Sequence, residues 1–168
     1  GEAVAREGMH YPIRDARLTT PVQRPRPPLV IAAHGPRAMR VVARYGDGWN
    51  TLGGQPFPEG LDPARRLPLA EVAATTRELG EQLDAACAEI GRDPTTIRRS
   101  VLALAPNPDP FASLDAFDAY VGAYAAIGIG EIIFYWPPVE HAYGERSPVS
   151  AEAQARYERI AAERVGSR

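Results

Sequence analysis

The run Leu29-Val30-Ile31-Ala32-Ala33 breaks off at His34-Gly35-Pro36, and a second short strand pattern follows at Trp49-Asn50-Thr51-Leu52. Five apolar residues in a row have the length of a fully covered parallel strand. His34-Gly35 turns the chain, and Pro36 stands where a helix best tolerates proline, at its first position. Met39, Val42 and Ala43 share one face of a helix expected from Pro36 to Tyr45, which Gly46 ends. A strand handed through a tight turn to a helix, with another strand after it, is the unit of a parallel sheet. The turn also leaves backbone N–H groups unpaired at the positive end of a helix, on the carboxyl side of a strand. An anion such as a phosphate is favoured there.

The same alternation continues along the chain. After a breaker-rich loop from Gly53 to Pro68, Val72, Thr76, Leu79, Leu83, Ala86, Cys87 and Ile90 recur at helical spacing, predicting a helix from Leu69 to Ile90 that Gly91 and Pro94 stop. A strand is expected from Ile97 to Ala105. Pro106-Asn107-Pro108-Asp109-Pro110 is a turn-rich loop, and Ser113 caps a helix whose apolar stripe is Leu114, Phe117, Val121, Tyr124 and Ile127. Gly128 closes it, Glu131 to Trp136 is the fourth strand, and Ser150 caps a last helix to about Arg164. Ahead of these units, Val4 to Ile13 has a strand-turn-strand look with Gly8 as its turn, and four prolines between Thr20 and Pro28 favour an extended connector. The domain plan is thus a hairpin and connector over 1–28, then four strand-helix units over 29–168. Four right-handed parallel crossovers build either half of a barrel or a small open sheet, and spacing alone does not separate the two.

Composition bounds the function. With 168 residues, 45% hydrophobic and 24% charged, the chain can bury a sizeable core, and its net charge of −2 exerts no long-range pull on nucleic acid or anionic membrane. No run of 18 apolar residues and no signal-peptide pattern occurs. The single cysteine, Cys87, excludes an internal disulfide, and a cytoplasmic location is expected. All 19 basic residues are arginine, so lysine Schiff-base chemistry and a Gly-x-x-x-x-Gly-Lys phosphate loop are excluded. The histidines at 10, 34 and 141 lack metal-ligand spacing, and no metal is expected. There is no Gly-x-Ser-x-Gly elbow, and Gly128-x-Gly130 precedes a strand instead of following one. Glu140 and His141 lie in a Pro/Gly-rich loop that reads as solvent-facing, and Cys87 sits on an apolar helix stripe as an inert thiol.

Residues 21 to 37, Pro-Val-Gln-Arg-Pro-Arg-Pro-Pro-Leu-Val-Ile-Ala-Ala-His-Gly-Pro-Arg, followed by Ala43-Arg44-Tyr45-Gly46-Asp47-Gly48-Trp49-Asn50, resemble the middle of the luciferase-like flavin monooxygenase family. That family includes oxidoreductases dependent on the deazaflavin coenzyme F420. Gly91-Arg92-Asp93-Pro94 with Ile97, and Gly128-Ile129-Gly130-Glu131-Ile132-Ile133-Phe134, are similar as well. The resemblance runs from about Val4 to about Glu163. It implies the carboxyl-terminal half of a (β/α)8 TIM barrel, a fold of roughly 250 residues when complete. The chain opens Gly1-Glu2-Ala3-Val4, in mid-pattern for such a protein, and is expected to be a piece of one, lacking the amino-terminal half.

Ligands of parallel α/β folds sit at the carboxyl ends of the strands. By the resemblance, Ala32, Ala33, His34 and Gly35 lie against a flavin or deazaflavin, either FMN or F420, with backbone N–H groups on its phosphate. Arg37, in the first helical turn, is a candidate partner of that phosphate, with surface solvation as its other reading, and the His34 side chain reads either as a further phosphate donor or as a plain turn histidine. Many members carry glycine where this chain has His34. Trp49, Thr51 and Tyr135 are the candidates for the wall of a small-molecule substrate pocket, with core filling as the other reading of Trp49 and capping of the barrel layer as that of Tyr135. No catalytic residue is nominated, and the chain alone is expected to be inactive. The rival expectation is a noncatalytic half-barrel scaffold, whose free edge strands pair with a missing half or with a second copy.

Overall fold

A computed structural model describes residues 2–8, 10–17, 19–20, 22–53, 66–104, 107–135 and 150–165. The first strands, β1 (Ala3–Arg6) and β2 (Ile13–Arg17), form an antiparallel hairpin in which every residue is exposed. This differs from the strand-turn-strand expected over Val4 to Ile13 with its turn at Gly8: the second strand begins only at Ile13, where the sequence pattern ended it.

Four parallel strands follow: β3 (Val30–Ala32), β4 (Gly48–Thr51), β5 (Arg98–Leu102) and β6 (Glu131–Ile133). They lie side by side in chain order, with Ile31 level with Trp49, and Thr51 level with Val101 and Ile132. The helices are α1 (Pro36–Tyr45), α2 (Leu69–Glu89), α3 (Leu114–Ala125) and α4 (Ala151–Arg164). The expected alternation therefore holds, with strands shorter than the apolar runs that announced them. Ala105 and Trp136, the expected ends of two strands, lie outside the described residues, as do 54–65 of the long loop and Glu140 and His141.

Local chemistry explains the helix ends. Gly35, at φ 84°, precedes Pro36 at the start of α1. Ser113 Oγ accepts the Ala116 N–H at 3.0 Å, and Ser150 Oγ accepts the Ala153 N–H at 3.1 Å, each satisfying a first-turn amide. Gly91, at φ 67°, follows α2.

All four helices lie on one face of the sheet. Alternation along the strands sends Ile31, Trp49, Val101 and Ile132 to that face, where they pack with Met39, Val42 and Ala43 of α1, Leu79, Leu83, Ala86 and Cys87 of α2, and Tyr120 and Tyr124 of α3. Phe134, just past β6, joins Phe111 and Phe117 against Ala153, Tyr157 and Ile160 of α4 in a second cluster. The opposite face carries Val30, Ala32, Asn50, Ser100, Leu102, Glu131 and Ile133, and no helix among the described residues covers it. Val30 is 54% exposed and Ile133 39%. This corrects the expectation of a fully covered strand at 29–33: among the described residues β3 is an edge strand with one face that no helix covers.

The amino ends of the strands are tied by arginine. Arg92 donates through both terminal nitrogens, to the Ala43 carbonyl and the Gly46 carbonyl at 2.8 Å each, satisfying carbonyls at the end of α1. Asp47 accepts the Leu29 amide at 2.7 Å and pairs with Arg26, anchoring the connector ahead of β3. That guanidinium and amide hold the Asp47 carboxyl below its usual pKa.

Candidate functional site

The carboxyl rim of the sheet is built around the turn between β3 and α1. Ala33 continues the ladder past β3 by donating its N–H to the Asn50 carbonyl at 3.3 Å, and its own carbonyl is taken by the Trp49 indole at 2.9 Å. The chain then leaves the sheet at His34. The first helical amide bond after the turn runs from Met39 to the Gly35 carbonyl at 3.0 Å, so the N–H groups of His34, Gly35, Arg37 and Ala38 have no partner among the described residues. A Cβ added at Gly35 would meet nothing within 4 Å among the described residues, so the space beside this one residue of the turn is free of them. Unpaired donors and the positive end of a helix dipole coincide at the turn, the physical setting that favours an anion.

His34 is held from the side. Its Nε2 lies 3.0 Å from Thr51 Oγ1, and Thr51 Oγ1 accepts the Gly53 N–H at 3.2 Å. Thr51 is 1% exposed, whereas His34 is half-buried at the rim. Burial lowers the His34 pKa below its ordinary 6.5, so the ring is neutral at pH 7. Below this contact, Asn107 donates through Nδ2 to the Leu52 carbonyl and, at 2.8 Å, to the Leu104 carbonyl, and the Tyr124 hydroxyl donates to Asn107 Oδ1. Burial raises the Tyr124 pKa, which keeps the phenol protonated as a donor. Gly53, at φ 67°, fits against the Tyr124 hydroxyl and the Asn107 amide with no room for a side chain.

These contacts sort the sequence candidates. Ala33, His34 and Gly35 form the turn itself. Ala32 ends β3 on the bare face. Arg37 is exposed in the first turn of α1, with no ion pair among the described residues. Trp49 and Thr51 are at most 1% exposed and face the helices, so neither forms an open pocket wall: Trp49 fixes the Ala33 carbonyl, and Thr51 fixes His34. Tyr135 lies beyond β6 and is 51% exposed. Sequence reasoning placed Gly53 and Asn107 at strand ends without giving either a role, and read Tyr124 only as core. Asparagine between two prolines is a turn signal, and nothing local marks it as a partner of Tyr124.

On the face opposite the helices, Asn50 Nδ2 donates to Ser100 Oγ at 2.9 Å, and Ser100 Oγ donates to the Trp49 carbonyl at 3.2 Å. A cleft lined by Thr95, Ile97, Arg98, Gly130 and Glu131 lies at the amino ends of β5 and β6, the opposite end of the sheet from the turn. Among the described residues no three His, Cys, Asp or Glu side chains converge on a metal position, and no helix is long and apolar enough to cross a membrane.

No family model matches the chain. Over 147 residues it is 29% identical to a phthiodiolone/phenolphthiodiolone dimycocerosates ketoreductase of Mycobacterium kansasii, a match that takes in 86% of this chain and 35% of that protein. The protein of the same name from Mycobacterium sp. strain JLS is 32% identical over 105 residues, 60% of this chain and 23% of its own. Among solved structures, an F420-dependent secondary alcohol dehydrogenase in complex with an F420-acetone adduct superposes with a TM-score of 0.57 at 12% identity, covering 94% of this chain and 55% of that one. At such identity the likeness is one of fold. The chain spans about a third of the length of the curated relatives it matches. Fold and rim define an α/β protein built on a four-stranded parallel sheet, as in its fold neighbour. The proteins it is similar to, by sequence and by fold, are oxidoreductases.

Proposed function

We propose that the chain is the carboxyl-terminal part of an F420-dependent oxidoreductase of the luciferase-like family, acting on a carbonyl or secondary alcohol, and that the turn from Ala33 to Ala38 seats the cofactor's phosphate. One observation carries the reading: the amides of His34, Gly35, Arg37 and Ala38 have no partner among the described residues, at the carboxyl rim of a parallel sheet whose fold neighbour is an F420 enzyme. The residues present fit a phosphate. The amides of His34, Gly35, Arg37 and Ala38 hold its oxygens, and Arg37 adds a cation from the first turn of α1. When bound, the deazaflavin supplies hydride chemistry. The chain's own share is to bind and orient: Trp49 and Thr51 keep the turn in place from behind.

Helices on one face, strands in consecutive order and a bare second face are the features of one wall of a barrel. In this reading further strand-helix units pair with β3 and β6 and bring the groups that contact the ring, and the chain by itself lacks turnover. Tyr135 then stands at the mouth where substrate enters. The scaffold reading has an observation of its own, the exposed Val30 and Ile133 beside unpaired edges, which a second copy would also cover.

Fluorescence titration of the 168-residue chain with F420 and with FMN, beside Gly35→Val, tests the seat. Saturable F420 binding that the variant weakens tenfold or more is expected. Binding that ignores residue 35 refutes the seat, and binding of FMN alone reassigns the cofactor.

A further inference from the structure

Thr51 Oγ1 has one hydrogen and two lone pairs. One lone pair takes the Gly53 N–H at 3.2 Å, and the side chain is 1% exposed, so the hydroxyl hydrogen must find its acceptor inside the protein. His34 Nε2, at 3.0 Å, is the acceptor in reach among the described contacts. If His34 instead donated from Nε2, the Thr51 hydrogen would be a buried donor with no partner among the described residues. The balance of donors therefore assigns the ring: Nε2 accepts, and Nδ1 carries the hydrogen.

The position of Thr51's other partner is fixed from further away. The Gly53 N–H belongs to a peptide whose carbonyl, that of Leu52, accepts from Asn107 Nδ2. Asn107 can offer that nitrogen because its Oδ1 is occupied by the Tyr124 hydroxyl, and its second N–H goes to Leu104. Tyr124 and Asn107 are 0% and 2% exposed, so water does not compete for these bonds. The chain of donors runs in one direction from α3, across the ends of β5 and β4, to the ring beyond β3.

We propose that Tyr124, Asn107, Gly53 and Thr51 act as a positioning relay that holds His34 as its Nδ1–H tautomer and so presents a neutral N–H donor at the rim of the turn. The tautomer follows from the donor count alone. That its N–H meets a phosphate oxygen rests on the anion-seat reading above. Tyr124 and Asn107 touch no ligand and act only through the peptide at 52–53.

The test is a two-bond proton-nitrogen correlation spectrum of the uniformly 15N-labelled chain at pH 7.5, with His34 assigned through His34→Gln. An accepting Nε2 and a protonated Nδ1 are expected in the unaltered chain and in Thr51→Ser, which keeps the hydroxyl. Tyr124→Phe, which keeps the ring and releases Asn107, should give a mixture of tautomers, and Thr51→Val should give mainly Nε2–H. A protonated Nε2 in the unaltered chain overturns the proposal. So does a pattern in Tyr124→Phe, shown folded by circular dichroism, that matches the unaltered chain. Titration with inorganic phosphate, followed at the His34 ring protons, separates the two readings: the expected tautomer with no phosphate-induced shift upholds the relay and overturns the seat.

Discussion

The Trp49 indole N–H donates to the Ala33 carbonyl at 2.9 Å, from a ring with no exposure to solvent. This bond crosses from the middle of β4 to the last residue before the turn, and it fixes where β3 stops. A buried carbonyl that loses its donor keeps its desolvation cost. Trp49→Phe preserves most of the apolar packing and deletes the N–H. We expect a loss of about 1–3 kcal/mol of stability, seen as a lower urea midpoint at unchanged slope. Amide exchange at His34 and Gly35 should accelerate more than exchange in α4.

Arg92 makes the corresponding contact at the other end of the sheet. Its two bonds hold the Ala43 and Gly46 carbonyls, which α1 leaves unsatisfied as it ends. Arg92→Met keeps the aliphatic stem and removes the donors. A loss of about 1–3 kcal/mol is expected, with faster exchange confined to the end of α1 and the Gly46 to Gly48 segment. Anion binding at the far rim should be unchanged, because no contact on the rim depends on this residue.

Much of this was legible in the sequence. The strand-turn-helix at 29–45, the caps at Ser113 and Ser150, and the stop at Gly91 depend on neighbours within a few residues, which is the range over which backbone dihedrals and first-turn amides are decided. What failed is non-local. Leu29 to Ala33 reads as a covered strand because apolarity says nothing of which neighbour is absent, and β3 proved to be an edge. In α3 the stripe expected through Val121 turned toward Tyr120, since a helix apolar on much of its surface gives periodicity little to select, and Val121 is 36% exposed. Asn107 meets Leu52 across 55 positions, and His34 meets Thr51 across 17. Such pairings come from the register of four strands, which no local pattern encodes.

Gly53 is the point where the rim has least tolerance. Its φ of 67° disfavours any side chain, and an added Cβ would run into the Tyr124 hydroxyl and the Asn107 amide. Gly91 has the same φ with nothing within 4 Å of the added atom. The two alanine variants therefore separate strain from collision. Gly91→Ala should cost about 1 kcal/mol, and Gly53→Ala more than about 2 kcal/mol, since it breaks a buried network as well. Equal thermal shifts for the two would show that the packing around Gly53 is looser than described.

Acid should act on the same rim through His34. Burial holds its folded pKa below 6.5, so on acidification the unfolded chain takes up a proton before the folded one does. Stability from this group is full above pH of about 6.5 and is lost as pH falls from there through the folded pKa, because the unfolded state binds more protons in that window. His34→Gln removes the titration while its amide oxygen can still accept from Thr51. The difference in urea midpoint between the unaltered chain and the variant should be constant from pH 8 to pH 7 and should move against the unaltered chain between pH 6.5 and pH 5. Taking the difference cancels the carboxylates and other histidines that both proteins share. A difference that stays flat across the whole range would mean that His34 is as well solvated folded as unfolded, and the contact with Thr51 would then fail to persist in solution.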